Sequence, residues 1–426
     1  MKLEDIILKV ADYGEVGRKV KKATGILAGG LEDILFPFII PTQDVIEGVG
    51  SSARTVEFLQ RASSKKTLIV TDAMLHKLGL LKTMTDAMDA AGFPYAIFDG
   101  VEPNPTIQNV EDAYEMYRTE RCDSIVGFGG GSSMDASKAL SCRVAKPNLS
   151  IEGMGRLMGY FPVTLPSFAK TPYLIAIPTT AGTGAESTVA AVISNHKIDK
   201  KYTITDIAMR PNTVILDAGL ATGLPKYTTA VTAVDALSHC VEGFLSYAHN
   251  PRGDEWAIRG ARLVVENVDA AIADGSNLEA RQNLCMAAYC GGQALNMETT
   301  GYVHPFCHKI GAKYGLVHGR CIGAVLPIIL EDYGSVVEKR LGKMSRAIGI
   351  ATPAMSDAEA SKAFIQWVRD FDQKYGIDPY IPEIKDEDLD EIADSIMVEI
   401  FVYPNKKVYT REEIKSLLKV IRGDRA

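Results

Sequence analysis

The sequence predicts two domains of different class, a parallel-sheet α/β half followed by an all-α half. Three observations carry this expectation. At 426 residues the chain exceeds what one hydrophobic core serves, because cores stop growing at about 250–300 residues. Between about 36 and 217, short apolar runs alternate with stretches of helical period, and beyond about 218 helical windows dominate while strand-like runs become scarce.

Taken in order, residues 1–35 read as a helical lead-in with apolar positions at Ile6, Ile7, Val10 and Val16, ended by Gly29-Gly30 and the Phe36-Pro37 step. The α/β domain, 36–217, holds five strand-like runs: 67–72, 94–100, 122–131, 173–180 and 212–217. Several are uninterrupted Val, Ile and Leu, the pattern of strands covered on both faces, and their helical spacers fit β-α-β crossovers. The stretch 143–171, rich in Pro and Gly, is expected to be an irregular surface loop. The helical domain, 218–426, has windows at 228–246, 254–273, 279–297, 320–348, 356–375, 386–400 and 410–422. No internal repeat or low-complexity segment interrupts either half.

Composition excludes several classes of function. Apolar residues at 46% and charged residues at 23% argue against disorder. A net charge of -7 leaves no general basic field for a phosphate backbone, so no nucleic-acid partner is expected, and the clusters Arg18–Lys22 and Lys197–Lys201 read as solvated surface. The seven cysteines are odd in number and contain no Cys-x-x-Cys pair, against both a disulfide framework and a thiolate zinc site. Acidic residues interrupt the apolar stretch at the N-terminus and no window approaches a membrane span, so a cytoplasmic protein with no membrane partner is expected.

Two groups of residues carry chemistry. The run Ile125-Val126-Gly127-Phe128-Gly129-Gly130-Gly131-Ser132-Ser133 leaves a strand and enters a helix through three consecutive glycines. Bare glycine backbone, outward N–H groups and a helix N-terminus are what a pyrophosphate needs, although the spacing is not Gly-x-Gly-x-x-Gly. A second turn, Pro178-Thr179-Thr180-Ala181-Gly182-Thr183-Gly184, offers hydroxyls that either bond a nucleotide or cap the next helix. Asp72, at the end of the strand TLIVT, is placed to accept bonds from an adenosine ribose and to repel a 2′-phosphate, which favours NAD over NADP.

The second group is metal-competent. Asp235 and His239 lie four apart on one helix face, His304 and His308 repeat that spacing, and His318 follows ten residues later beside a glycine turn. Three of the seven histidines thus fall in one short stretch. One carboxylate with three neutral imidazoles suits divalent iron or zinc rather than calcium. The apolar surroundings of Asp235 call for a cation or good hydrogen bonds to keep it charged.

With GGGSSMDASKA, PNPT at 103–106, PTTAGTGAE, the DALSH helix and the H-x3-H-x9-H stretch in this order, the sequence resembles the iron-containing, group III alcohol dehydrogenase family, related in fold to dehydroquinate synthase. The resemblance runs from about residue 36 to the C-terminus. It implies an N-terminal dinucleotide-binding domain and a C-terminal helical domain with the active site in the cleft between them. It implies Asp235, His239, His304 and His318 as ligands of Fe2+, with Zn2+ the alternative, and His308 as a nearby histidine that binds no metal. For NAD it implies Asp72 and Asn104 on the adenosine side, Gly130, Gly131 and Ser132 at the pyrophosphate, and Thr179, Thr183 and Lys201 as further contacts. It also implies a homodimer or higher homo-oligomer formed through the edge of the α/β domain. Three departures bear on substrate alone: the first 35 residues extend beyond the usual start, the loop around 150–168 is long, and Ala190 stands where some members carry a polar side chain.

The expected reaction is hydride transfer between NAD and a small primary alcohol or diol, or the matching aldehyde, with the metal as Lewis acid and His308 relaying the alcohol proton. No arginine is obviously placed to hold a carboxylate, which favours neutral alcohols over hydroxy acids such as 4-hydroxybutyrate. A lyase of the dehydroquinate synthase type would release no net NADH and needs more basic residues near the metal than Lys309, Lys313 and Arg320. A silent paralogue is disfavoured by the intact set of Asp235, His239, His304, His308 and His318.

Overall fold

The structure, a computed structural model, describes residues 7–8, 19–23, 42–158, 171–195, 200–247, 250–403 and 405–424. Most of the expected lead-in, 1–35, therefore lies outside the described residues. The chain divides into two compact units: residues 38–224 with 274–292, and residues 1–37 with 225–273 and 293–426. Among the described residues no helix is long and apolar enough to cross a membrane.

The first unit is built on a six-stranded sheet in which every pairing is parallel. Its strands are β1 (Asp44–Glu47), β2 (Thr67–Val70), β3 (Tyr95–Phe98), β4 (Ser124–Gly129), β5 (Tyr173–Pro178) and, later in the chain, Thr213–Leu216. Between β5 and that last strand lies an antiparallel hairpin of β6 (Ala190–Asn195) and β7 (Lys200–Thr205), which makes Thr213–Leu216 β8. The sheet order is β1-β8-β5-β4-β2-β3. β2 and β4 are buried along their whole length, which accounts for their unbroken apolar sequences TLIV and SIVGFG.

All five strand-like runs of the sequence are present as β2, β3, β4, β5 and β8. β1 and the hairpin were not expected. β1 is four residues with charged ends, and β7 carries Lys200 and Lys201, so neither shows an apolar run. The stretch 143–171 corrects the expected loop in part. Helix α1 (Gly131–Ala145) runs into it, and α2 (Ile151–Met158) forms within it, with Ile151 and Met154 fully buried beside Cys142 and Leu140. Those two apolar anchors, three apart, are what the Pro and Gly content concealed.

The second unit includes the helices α3 (Lys226–Leu245), α4 (Pro251–Ala273), α5 (Val303–Tyr314), α6 (His318–Tyr333), α7 (Glu338–Ala347), α8 (Asp357–Tyr375), α9 (Leu389–Glu399) and α10 (Arg411–Arg422). The window expected at 320–348 is two helices, because Gly334 at φ 53 breaks the run. Starts are set by local chemistry: Ser356 with Glu359, and Thr410 with Glu413, each form a reciprocal capping box.

The sequence division at 217/218 placed residues 274–292 with the helices, whereas the structure groups them with the sheet. This segment opens the long helix Leu278–Glu298. Gln282 donates to Leu216 O at 3.0 Å and accepts from Ala218 N at 3.3 Å, tying it to the end of β8. A Cβ on Gly292 would lie 2.4 Å from Gly184 O, so helix and loop meet backbone to backbone. Such a contact leaves no mark in hydrophobic period.

Candidate functional site

In the sheet unit, the positions singled out for the dinucleotide follow the carboxyl ends of β2 to β5, except Lys201, which reaches them from β7 of the hairpin. β2 and β4 are neighbours, yet the chain leaves β2 toward β3 and leaves β4 toward β5, so their ends form the topological switch point where open α/β sheets bind ligands. Asp72 follows β2 and caps the next short helix, accepting from Met74 N and Leu75 N, both at 3.0 Å through one oxygen. Gly130 is the N-cap of α1 with no side-chain cap, which leaves the first N–H groups of a 15-residue helix to another acceptor. Gly129 sits at φ 143, and a Cβ there would lie 2.6 Å from Ser133 Oγ, so only glycine makes this turn.

The remaining positions close around that turn. Thr179 N donates to Gly129 O at 2.9 Å, extending the β4–β5 ladder past the strand ends. The Thr183 methyl would stand 2.8 Å from a Cβ on Gly131. Asn104, at φ 58, donates its backbone N–H to Ser132 Oγ at 3.3 Å, and Lys201 Nζ donates to Asn104 Oδ1 at 2.8 Å. Asp72, Asn104, Gly130, Gly131, Ser132, Thr179 and Thr183 thus share one edge, which Lys201 reaches from β7, an arrangement that can cradle a pyrophosphate with a carboxylate to one side.

The metal-competent residues come together in the helical unit. Asp235 and His239 project from one face of α3, His304 and His308 from α5, and His318 is the first residue of α6. Gly315, at φ 66, ends α5 and turns the chain back. Asp235 Oδ1 lies 3.9 Å from His239 Nε2, 3.6 Å from His304 Nε2 and 3.5 Å from His318 Nε2. Asp235, His239 and His304 are buried with donor atoms within 4.8 Å of one another, while the His318 side chain is 38% exposed and marks the open side.

This donor set fits a cation. Ligands held about 2.1 Å from a tetrahedral ion stand about 3.4 Å apart, close to the 3.5–3.9 Å that separate Asp235 Oδ1 from the three imidazole nitrogens. Asp235 Oδ1 and His304 Nε2 are buried and have no hydrogen-bond partner, the mark of atoms whose partner is something other than protein. Electrostatics point the same way. Burial disfavours the Asp235 carboxylate, but the imidazoles of His239 and His318 overcome it and hold the group well below the usual carboxylate range. Burial also pushes His239 down to about 4, leaving it a neutral donor. His304 is raised to about 10 against its burial by the carboxylates of Glu242 and Asp235, so this pocket draws positive charge.

His308 stays beside this group, stacked on His318 with ring centroids 5.4 Å apart. Its Nδ1 lies 3.2 Å from Glu399 Oε1 of α9, and Lys309 Nζ lies 2.6 Å from Glu399 Oε2. Burial would raise Glu399, but Lys309 and His308 bring it down to about 2, and burial lowers His308 to about 4. Glu399 and Glu242 were absent from the residues singled out by sequence. Glu242 had a signal, since 235, 239 and 242 form one stripe and are the helix's charged or imidazole side chains beyond Lys226. Glu399, 91 residues beyond His308, had none.

Residues 41–218 match the family described as iron-containing alcohol dehydrogenase, and residues 229–421 match its C-terminal family. The chain is 31% identical to the NAD-dependent methanol dehydrogenase of Bacillus methanolicus over 90% of its length and 98% of that protein. It is 31% identical to the 1,3-propanediol dehydrogenase of Citrobacter freundii, again over 90% of this chain and 98% of the relative. A solved 1,3-propanediol oxidoreductase superposes with a TM-score of 0.83 at 29% identity, covering 90% of this chain and 99% of that one. These matches span both units and agree with the order of motifs and the parallel sheet. The chain belongs to the iron-containing alcohol dehydrogenase family.

Proposed function

We propose that this chain is a metal-dependent oxidoreductase that moves a hydride between NAD(H) and a small primary alcohol or diol, or the matching aldehyde. One observation carries the reading: a buried carboxylate, Asp235, whose unpartnered oxygen is ringed by three imidazole nitrogens at 3.5–3.9 Å. Asp235, His239, His304 and His318 would hold the ion, Fe2+ by the family's character and Zn2+ as the alternative with the same donors. The ion supplies Lewis acidity toward a hydroxyl or carbonyl oxygen. NAD supplies the hydride acceptor, held by the uncapped N-terminus of α1 at Gly130, Gly131 and Ser132, with Asp72 turning away a 2′-phosphate.

The chain's own groups then manage the proton. Glu399 is held ionised and can only accept, so His308 donates from Nδ1 and keeps Nε2 as its basic nitrogen. We assign His308 Nε2 to take the proton shed by the alcohol and pass it to water. The 23% exposure of its side chain supports an exit to solvent. Seven buried cysteines, with no disulfide among the described residues, support a reducing cytoplasm, and β1 at the end of the sheet supports association through that edge into a homo-oligomer.

The test is NADH formation from methanol, 1,3-propanediol and longer primary alcohols by chelator-treated protein, before and after Fe2+ or Zn2+ is restored. Turnover that depends on the restored ion is expected. Full NAD-linked turnover by metal-free protein would overturn the reading.

A further inference from the structure

The helix that carries Asp235 and His239 brings a second carboxylate to the same place. Glu242 is one turn further along α3 and 4% exposed. Its Oε1 lies 2.5 Å from His304 Nδ1 and accepts from Ser238 Oγ at 3.0 Å. Its Oε2 accepts the backbone N–H of Val303, the first residue of α5, at 3.0 Å. The turn leading into α5 is shaped around this group: a Cβ on Gly301 would lie 2.6 Å from Glu242 Oε2 and 2.9 Å from its Cγ.

His304 therefore stands between two carboxylates, Glu242 on its Nδ1 side and Asp235, at 3.6 Å, on its Nε2 side. With a cation in place of the proton on Nε2, His304 keeps one N–H and can satisfy only one of them. Glu242 is at hydrogen-bond distance and Asp235 is not, and His304 Nε2 has no hydrogen-bond partner. We infer that Glu242 is a positioning residue that fixes His304 with its proton on Nδ1 and its Nε2 lone pair turned to the cation, while anchoring the start of the helix that carries His304. The inference rests on the metal reading above.

A glutamine at this position keeps a carbonyl for His304 Nδ1 but turns an N–H2 toward the Val303 N–H and removes the charge. The test is titration of chelator-treated protein with Co2+, followed by visible absorbance and chelator competition, for native chain and E242Q. Binding weakened about 10–100-fold with an altered Co2+ spectrum is expected. The KM for NAD should be unchanged while kcat falls. Native Co2+ affinity and spectrum in E242Q would overturn the inference and leave the metal reading standing, whereas no Co2+ binding by native chain would overturn both. A second measurement needs no variant: 15N-histidine NMR of the Zn2+-loaded native chain should show His304 protonated at Nδ1 and bare at Nε2. The opposite tautomer would overturn the inference.

Discussion

A Cβ on Gly319 would lie 2.2 Å from the carbonyl oxygen of Val231. The N-terminus of α6 thus rests directly on the backbone of α3, one turn before Asp235, and this contact delivers His318 to 3.5 Å from the Asp235 carboxylate. Gly319→Ala has to push the two helices apart. Metal affinity should fall at least about tenfold, as when the groups that hold a ligand in place are disturbed. Dialysis against Fe2+ or Zn2+ with metal analysis reads this, and native metal content in a folded G319A protein would contradict it.

His308→Ala should remove the proton acceptor without touching a ligand. General base catalysis contributes about 10²–10⁴-fold, so kcat should fall by at least about a hundredfold while bound metal stays near one ion per chain. Glu399→Gln should act in the same direction and less strongly. It removes the charge that opposes burial, so His308, already lowered to about 4, becomes a still weaker base. Steady-state kinetics alongside metal analysis check both variants, and an unchanged kcat in H308A would contradict the assignment.

Asp72→Ser separates the two roles of this side chain. Serine can still accept from Met74 N and Leu75 N as an N-cap, so stability should move by less than about 1 kcal/mol. The lost charge should admit a 2′-phosphate, raising the NADP to NAD ratio of kcat/KM at least about tenfold. Equal discrimination in D72S would place the cofactor preference elsewhere.

Asp372 carries a pH-dependent cost that lies outside both candidate sites. Its Oδ1 is buried without a hydrogen-bond partner, where a Cβ on Gly323 of α6 would come within 2.9 Å, and burial pushes the carboxyl up to about 7. The folded value lies above the unfolded value of about 3.9, so the native state holds an extra proton between them. That stability is present in full below about pH 4 and is lost as pH rises through 7. Asp372→Asn should flatten this decline and make the protein more stable than native at pH 8, by about 1–4 kcal/mol for a shift of this size. Urea unfolding at pH 5 and pH 8 measures it, and parallel pH dependence in both proteins would contradict it.

What could be read along the chain was whatever a single element fixes by its own geometry. The 3.6-residue turn puts Asp235 with His239, and His304 with His308, on shared faces before any packing is known. Unbroken apolar runs announce β2, β4 and β5 because strands covered on both sides tolerate little else. The glycine run leading into α1 shows a bare helix start whatever surrounds it.

Tertiary structure decided which of these pieces meet. β1 pairs with β8, nearly 170 residues away, and so few residues with charged ends carry no local sign of it. The grouping of 274–292 with the sheet, the seat of α6 on Val231 and the reach of Glu399 to His308 all depend on backbone approach and long-range closure. Local period encodes which face of an element is apolar. The partner of that face, and the charged group that slips in beside it, is chosen by how the whole chain packs.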